Sequence, residues 1–568
     1  MGAQRRVPYS HVIHNNAICL LSLGWRAITP LRYVAAAWLG LGTRVVRFFF
    51  KTRVNSLLVD WVTNHHSFVV VWFVLPLSFI YDRYYVFQNW YVQVFLAAPL
   101  LHEERVAHVQ AQIRECNEKG HPNKLCTARP EWLTMSTRMA TFKKGCTPIN
   151  VNLHDIIEVD LGRQVVHCEP LVNMGQLSRH LLPMGYSLAV MVEMEDLTVG
   201  GCLLGVGIDT HSHMYGTLAD TAVMYEVVLS DGSIVRATKE ENADLFYGLP
   251  WSHGTLGFLV AVELMIIPCK PYMHLTYVPC HSLDESCKLI QGLTHSKNPP
   301  PFIELTFYSR ETSVLMIGEY ANPPKDRSKI NYANNFYKPW FYKHAQTCLE
   351  NGPFNEYLPL RHYIHRHSRS IFWELENLIP FGNATWFRYL FGWLGAPKVS
   401  VLKLIACIPK IRRQTVYQHV IHDAMVPIKY MEQAIELFDE EFGIYPLLCY
   451  PVRFYQRPEG YGSLQRNPKS PVSGTNPPYE MYFNLGAYGT PVAVRNKKIW
   501  DAPSSVRRIE KFTRQHAGAQ HLYADIFMNR AEFEAMFEHC IYHQLRQKYN
   551  AEGAFPEVWD KVKPQYPK

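Results

Sequence analysis

The chain has 568 residues, 48% of them hydrophobic and 19% charged, with a formal net charge of +8. That length exceeds what one hydrophobic core organises, so two or three domains are expected, and the composition excludes general disorder. The 13 cysteines show no CxxC pair and no metal-type spacing, which excludes a disulfide framework and a zinc site and points to reduced thiols.

The charge is unevenly spread. No acidic residue precedes Asp60, whereas that span carries Arg5, Arg6, Arg26, Arg32, Arg44, Arg47, Lys51 and Arg53. No basic patch elsewhere is interleaved with aromatics in the pattern of a nucleic-acid surface, so nucleic acid is excluded as a partner. Residues 1–101 read as a basic arm followed by membrane-anchoring helices. "SFVVVWFVLPLSFIY", from Ser67 to Tyr81, is uncharged but shorter than the roughly 20 apolar residues of a full span. "YDRYYVFQNWYVQVFLAAPLL" follows, with the mixed aromatic and polar composition of an interface. The pattern predicts one marginal or re-entrant helix, kinked at Pro76, with interfacial amphipathic helices beside it.

Residues 102–270 form the next expected domain. "HEERVAHVQAQIRECNEKG" is a charged helix ending at Gly120, and "DIIEVDLGRQVVHCEPL" is strand, turn, strand. "LVNMGQLSRHLLPMGY" is a short helix capped by Asn173, with Gln176 three residues on and Gly185 closing it. "AVMYEVVLSDGSIVRAT" is a hairpin about Asp231-Gly232, and "GTLGFLVAVELMIIP" is a buried strand ending at Pro268. Strands and short helices segregate, which makes the class α+β rather than doubly wound. Residues 271–568 form a second, aromatic-rich domain with a loop from about Gln456 to Pro478, the strand "EMYFNLGAY" and a helical close.

Between these elements lies "DLTVGGCLLGVGIDTHSHMYG", Asp196 to Gly216. A backbone this bare of side chains can approach a ligand closely and turn its N–H groups toward anionic oxygens, a dinucleotide diphosphate being the obvious case. The Rossmann fingerprint is not met, because Thr210 stands where its third glycine belongs and no βαβ unit surrounds it. On spacing alone, a tight bend between packed strands explains the glycines equally well.

"TVGG", "HMYG", "SDGSIV" and "DLFYGLPWSHGTLGFLVAVEL" resemble the flavin domain of the vanillyl-alcohol-oxidase superfamily. "EPLVNMGQ", "PWSHGTLGFLVA", "YKPWF", "RHYIHRHSRSIFWEL", "IPFGN", "FRYLFGW", "VPIKYMEQA", "LGAYG" and "YADIFMNRAEFEAMF" resemble more narrowly the Δ24-sterol reductase family, from about Val69 to the C-terminus. The resemblance implies a two-subdomain FAD-binding domain of that type and an α+β sterol-binding domain. It places Thr198, Val199, Gly200, Gly201, Cys202, Leu203, Leu204, Gly205, Val206, Gly207, Ile208, Asp209 and Thr210 along the FAD diphosphate. His213, Tyr215 and Gly216 would continue that wall, and Trp251, Ser252, Gly254, Thr255 and Gly257 would pass the isoalloxazine and ribityl chain. In the earlier turn "STRMATFKKGCTPINVN", Arg138 and Lys143 would supply positive charge, and Cys146 is the one candidate for a covalent tether. The family lacks a tether, so non-covalent FAD is expected, with no metal.

The reaction implied is reduction of the sterol C24=C25 double bond with NADPH. An unactivated alkene accepts hydride only with a proton delivered to C24, so a positioned acid and a dry apolar slot are required. His365, His367 and Asp423 are the candidate catalytic residues, from the clusters "HYIHRHSR" and "HVIHDAM"; His362, His422, Tyr523 and Asp525 are near them in sequence or type. Glu193, Glu195 and Asp196, just before the flavin loop, either hold that loop or reach the substrate. Trp340, Phe341, Tyr342, Phe372, Trp373, Phe387, Tyr389, Phe391 and Trp393 pack a core, line a sterol slot or dip into the membrane. The expected partners are a sterol, the lipid bilayer and other enzymes of sterol biosynthesis, at the endoplasmic reticulum with the catalytic domains facing the cytosol. A flavin oxidase of the same superfamily and a non-catalytic sterol-binding scaffold remain as alternatives.

Overall fold

The computed structural model describes residues 61–565 apart from 63, 96–100, 121–122, 407–415 and 473. The basic arm read from the sequence lies outside the described residues. Helix runs from His66 to Val69, widens into a π turn at Val70–Val74, and continues from Leu75 to Phe95. The π turn sits directly ahead of Pro76, which has no N–H to give to the preceding turn. The next helix, His102–Glu118, stops before Gly120, whose φ of +81° continues no helix.

Among the described residues, sixteen strands follow in three sheets. β1 (Lys124–Thr127) and β2 (Cys146–Ile149) form a parallel pair whose connection is the turn holding Arg138 and Lys143. β3 (Ile156–Asp160), β4 (Val165–Cys168), β5 (Tyr186–Leu188), β6 (Ala222–Val228), β7 (Ile234–Ala237) and β8 (Phe258–Pro268) form the second sheet. Its order is β3-β4-β8-β6-β7, with β5 pairing the far end of β8. β8 is central and buried on both faces, so it reads as an apolar run, interrupted by Glu263, instead of an alternation. The predicted hairpin is β6–β7, and the predicted capping box at Asn173 and Gln176 opens the helix Met174–Leu181.

The third sheet contains β9 (Tyr272–Cys280), β10 (Phe302–Phe307), β11 (Ser313–Ala321), β12 (Phe354–Pro359), β13 (Val420–Pro427), β14 (Leu447–Tyr455), β15 (Tyr479–Gly489) and β16 (Ala519–Gln520). It is antiparallel, in the order β12-β9-β11-β10-β14-β15-β13-β16. Alternation along its strands sorts two faces. Ile303, Leu305, Phe307, Phe483 and Leu485 point at the helices Leu283–Thr294, Met431–Glu441 and Ala502–Gln515, and form one core with them. Phe302, Met425, Tyr450, Tyr482 and Tyr488 belong to the core shared with the second sheet. The latter face also carries Glu304, Asp423 and Asn484, all buried, so the polar chemistry of the large sheet faces the seam between the two units.

The C-terminal helices return to the second sheet, a connection no local pattern foretells. Arg546, 1% exposed, donates to the carbonyls of Thr255 at 2.7 Å, Ala551 at 2.9 Å and Phe555 at 2.8 Å. Thr255 Oγ1 lies 2.8 Å from Tyr542 Oη. Arg546→Met strands these carbonyls without a donor and is expected to cost about 3 kcal/mol or more, read as a lower denaturation midpoint.

Candidate functional site

Two backbone bonds hold the start of the glycine-rich loop: Val199 N–H to the Val172 carbonyl and Gly200 N–H to the Pro170 carbonyl, each at 2.8 Å. The short helix Val199–Leu204 follows. The glycines here do two different jobs. A Cβ on Gly200 would sit 2.8 Å from Pro170 Cβ, one on Gly207 2.9 Å from Cys202 Cβ, and one on Gly257 2.4 Å from Val227 Cγ1. These three are spaces the protein itself fills. Gly201 is exposed and Gly205 half-buried in otherwise buried surroundings, and the N–H groups of Gly201, Val206 and Gly207 have no acceptor among the described residues.

The second wall is the turn Trp251–Gly254, where φ is +65° at Trp251, +52° at His253 and +69° at Gly254. Left-handed conformations at two non-glycine residues are costly and cluster where function demands a shape. His253 N–H bonds the Leu204 carbonyl at 2.8 Å, which brings its ring near Gly205, and its buried Nε2 has no partner. Burial holds this imidazole neutral, pushing its pKa down to about 3. Lys561 Nζ donates to the His253 carbonyl and lies 5.1 Å over the Phe142 ring. Lys143 Nζ donates to the carbonyls of Thr127 at 2.8 Å and Arg129 at 2.7 Å.

Neither lysine forms an ion pair among the described residues. Burial, reinforced by the charge of Lys143, pushes Lys561 down to about 8; burial also lowers Lys143. Two ammonium groups without a carboxylate partner among the described residues, one of them on the His253 carbonyl, are suited to an anion. Arg138 instead donates to the carbonyls of Ala524 at 3.3 Å, Lys561 at 3.0 Å and Lys563 at 3.4 Å, and so positions the tail that carries Lys561. Burial raises the Cys146 pKa and holds it as a thiol, 3.3 Å from the Phe142 carbonyl.

Other expected cofactor contacts point elsewhere. His213 is buried, with Nδ1 3.1 Å from the Thr210 carbonyl and Nε2 2.8 Å from the Pro300 carbonyl. A Cβ on Gly216 would meet Tyr455 of the large sheet at 2.7 Å, so Tyr215 and Gly216 sit in the seam. Trp251 is buried 6.0 Å from the Phe537 ring, and Thr255 faces the returning helices. Of that stretch, His253 and Gly254 are half-buried and line the open side.

The three candidate catalytic residues are all buried at the seam. Both ring nitrogens of His365 are engaged, Nε2 with Ser178 Oγ and Nδ1 with the Glu193 carbonyl, each at 2.7 Å. Burial lowers its pKa to about 4, so it clamps the two units as a neutral ring. His367 Nε2 lies 3.0 Å from Glu304 Oε1 and its ring stacks on Phe372. Asp423 accepts from Asn484 Nδ2 at 2.8 Å, Tyr488 Oη at 2.9 Å and Tyr523 Oη at 2.5 Å. The Tyr523 carbonyl accepts from Ser136 Oγ at 2.7 Å, which joins this trio to the β1–β2 turn. His422 points to the helix side of the sheet, toward Phe438 and Phe442.

The three acids before the loop separate cleanly. Glu195 pairs with Arg361 at 2.6 Å and Asp196 with Lys398 at 3.1 Å. Glu193 is 4% exposed, Arg366 is 3.9 Å away, and its Oε1 has no hydrogen-bond partner. Burial overcomes the pull of Arg366 and pushes this carboxyl up to about 7.

Residues 100–238 match the family model described as the FAD binding domain. The Delta(24)-sterol reductase of Homo sapiens is 44% identical over 519 residues, covering 91% of this chain and 96% of that protein. The Caenorhabditis elegans Delta(24)-sterol reductase homolog dhcr-24 is 38% identical over 89% of this chain and 96% of its own length, and the Arabidopsis thaliana Delta(24)-sterol reductase is 38% identical over 89% and 92%. The chain belongs to the Δ24-sterol reductase family.

The residues present fit the FAD such a family binds: unsatisfied N–H groups at Gly201, Val206 and Gly207, with ammonium groups at Lys143 and Lys561 that bond backbone carbonyls but no carboxylate, meet the needs of a diphosphate. His253 sits inside a motif the sequence reading singled out and is overlooked there because its neighbours are the glycines. Lys561 carries no local signal; only the return of the C-terminus places it. A bound diphosphate favours charged Lys561, so FAD affinity is expected to be level below about pH 8 and to fall as pH rises through that value. Lys561→Met should weaken FAD binding about 10-fold or more and lose this pH dependence, as measured by equilibrium dialysis.

Proposed function

We propose that this protein is a membrane-associated, FAD-dependent reductase that uses NADPH to saturate the C24=C25 bond of a sterol side chain. The observation that carries the reading is the 44% identity to Delta(24)-sterol reductase across 91% of the chain, joined to the match of residues 100–238 to the FAD binding domain. On this reading the β1–β2 pair and the six-stranded sheet are the two subdomains that hold non-covalent FAD, and the eight-stranded sheet supplies the sterol wall. At the endoplasmic reticulum, free thiols support a body on the cytosolic side; with Lys and Arg ahead of the apolar helix, that orientation requires re-entrant or paired insertion, because a single span would send the body to the lumen.

Bound FAD, once reduced by NADPH, supplies the hydride equivalent that an alkene needs at its more substituted carbon. The chain's own task is to deliver the proton. We assign it to Glu193 in place of His365, whose two nitrogens are already committed. A carboxyl with a pKa of about 7 holds its proton below neutrality, and its Oε1, 3.9 Å from Arg366 and without a hydrogen-bond partner, is at the seam where both units meet. Asp423, accepting from Tyr488 and Tyr523, fixes two phenol rings in the same seam, and aromatic faces lower the cost of positive charge developing at the tertiary carbon. The buried rings of Trp373 and Tyr488, with half-buried Phe372 packed on them, keep water out.

Two outcomes are expected. Anaerobic protein in detergent, given NADPH and desmosterol, should yield sterol heavier by two hydrogens; loss of the flavin colour with the sterol mass unchanged would refute the substrate. In single turnover, the rate should decline as pH rises through about 7, because protonated Glu193 is the active form. Glu193→Gln should reduce the rate about 100-fold or more and abolish that decline while FAD stays bound.

A further inference from the structure

The helix Val399–Ala406 lies in the second domain, yet lysines at its start and middle reach two separate parts of the flavin site. Lys398, just ahead of it, donates from Nζ to Asp196 Oδ1 and Oδ2, each at 3.1 Å. Asp196 stands two residues before Thr198, where the glycine-rich loop begins. Lys403 lies about 7 Å further along the helix axis. Its Nζ donates to the Glu131 carbonyl at 2.7 Å, the Thr134 carbonyl at 3.1 Å and Thr134 Oγ1 at 2.9 Å, and also to the Ser136 carbonyl. These three residues belong to the β1–β2 connection, the segment that carries Lys143.

The grip passes on to Lys143 through two bonds. Glu131 Oε2 accepts the Ala140 N–H at 2.8 Å, and the Ala140 carbonyl accepts the Lys143 N–H at 3.1 Å. Between the two lysines, Val401 is buried in the core shared with the second sheet, which fixes the helix as a strut. Both ammonium groups are committed to protein oxygens, so they act on a cofactor through the segments they hold.

A third element is tied to the same strut. The Lys398 N–H donates to Ser78 Oγ at 3.0 Å, and its Nζ pairs with Asp82 at 2.9 Å. Both partners are on the helix Leu75–Phe95. The Tyr81 ring of that helix lies edge-on to Trp132 of the β1–β2 connection, 6.1 Å away. A lysine at a helix start faces the positive end of the helix dipole, and here two carboxylates offset that cost.

We infer that Lys398 and Lys403 are positioning residues for FAD, and that the strut makes FAD binding and the seating of the helix Leu75–Phe95 depend on each other. The inference rests on the reading that the loop at Gly201 and Lys143 receive the cofactor. Coupling of this kind is reciprocal: the factor by which a seated helix tightens FAD is the factor by which FAD tightens the seat.

The test uses the full chain in detergent. Lys398→Met and Lys403→Met should each weaken FAD binding about 10-fold, read by equilibrium dialysis. Lys398→Arg, whose fork reaches two carboxylates, should restore most of that loss. In the wild type, saturating FAD should slow hydrogen–deuterium exchange in peptides of the helix carrying Ser78 and Asp82, and in Asp82→Asn it should no longer do so. FAD binding as tight in both methionine variants as in the wild type overturns the inference. So does wild-type exchange in that helix that ignores FAD, a measurement that needs no variant to fold. A wild type that binds no FAD would overturn the cofactor reading and this inference with it, whereas either of the other two results leaves the cofactor reading standing.

Discussion

The Glu304 carboxylate lies in the middle of the large sheet, at 0% exposure, where no water offsets its charge. Burial pushes its pKa up, and Arg366 and His367 overcome that push and hold it down at about 2. Arg366 donates to Glu304 Oε2 at 2.9 and 2.5 Å, and His367 Nε2 meets Oε1 at 3.0 Å. An unpaired charge here would cost several kcal/mol, so the segment carrying Arg366 and His367 has one place to sit. That same segment carries His365, which grips the Glu193 carbonyl and Ser178. One ion pair therefore registers the two units and sets Glu193 in their seam. Its contribution is present above the ordinary carboxylate range and is lost as pH falls toward 2.

The seam explains why the family's glycine motifs are not all cofactor contacts. Gly486 in "LGAYG" leaves room for chemistry on the protein's side: a Cβ there would stand 2.6 Å from Tyr488 Oη and 2.8 Å from Asp423 Oδ1. Gly200, Gly205, Gly207 and Gly257 let backbones and side chains of the protein close on one another, whereas Gly201 is exposed with its N–H free of any acceptor among the described residues. The glycine-rich stretch thus serves packing at some positions and bare backbone at others.

Local elements were legible in the sequence because their causes are local. Asn173 with Gln176 opens a helix, Gly185 closes it at φ +80°, Asp231-Gly232 turns a hairpin, and Pro268 ends β8. The α+β class followed from the same signals. Long-range geometry was not legible. Which face of β13 a residue occupies decides that Asp423 meets the seam and His422 the helices, and a histidine cluster in sequence says nothing of that. Nothing near Lys561 predicts that it crosses back to His253. Glu193, Glu195 and Asp196 look alike in sequence; only their partners and burial distinguish them.

The central claim is that bare peptide groups of the loop at Gly201–Gly207, with the turn at His253, receive the FAD diphosphate. Hydrogen–deuterium exchange on the full chain with and without FAD measures this directly, peptide by peptide. The account predicts that FAD slows exchange in peptides covering 198–210 and 251–257 and in the tail around Lys561, with little change on the helix-covered face of the large sheet. Unchanged exchange in the first two segments, with protection appearing elsewhere, would contradict it.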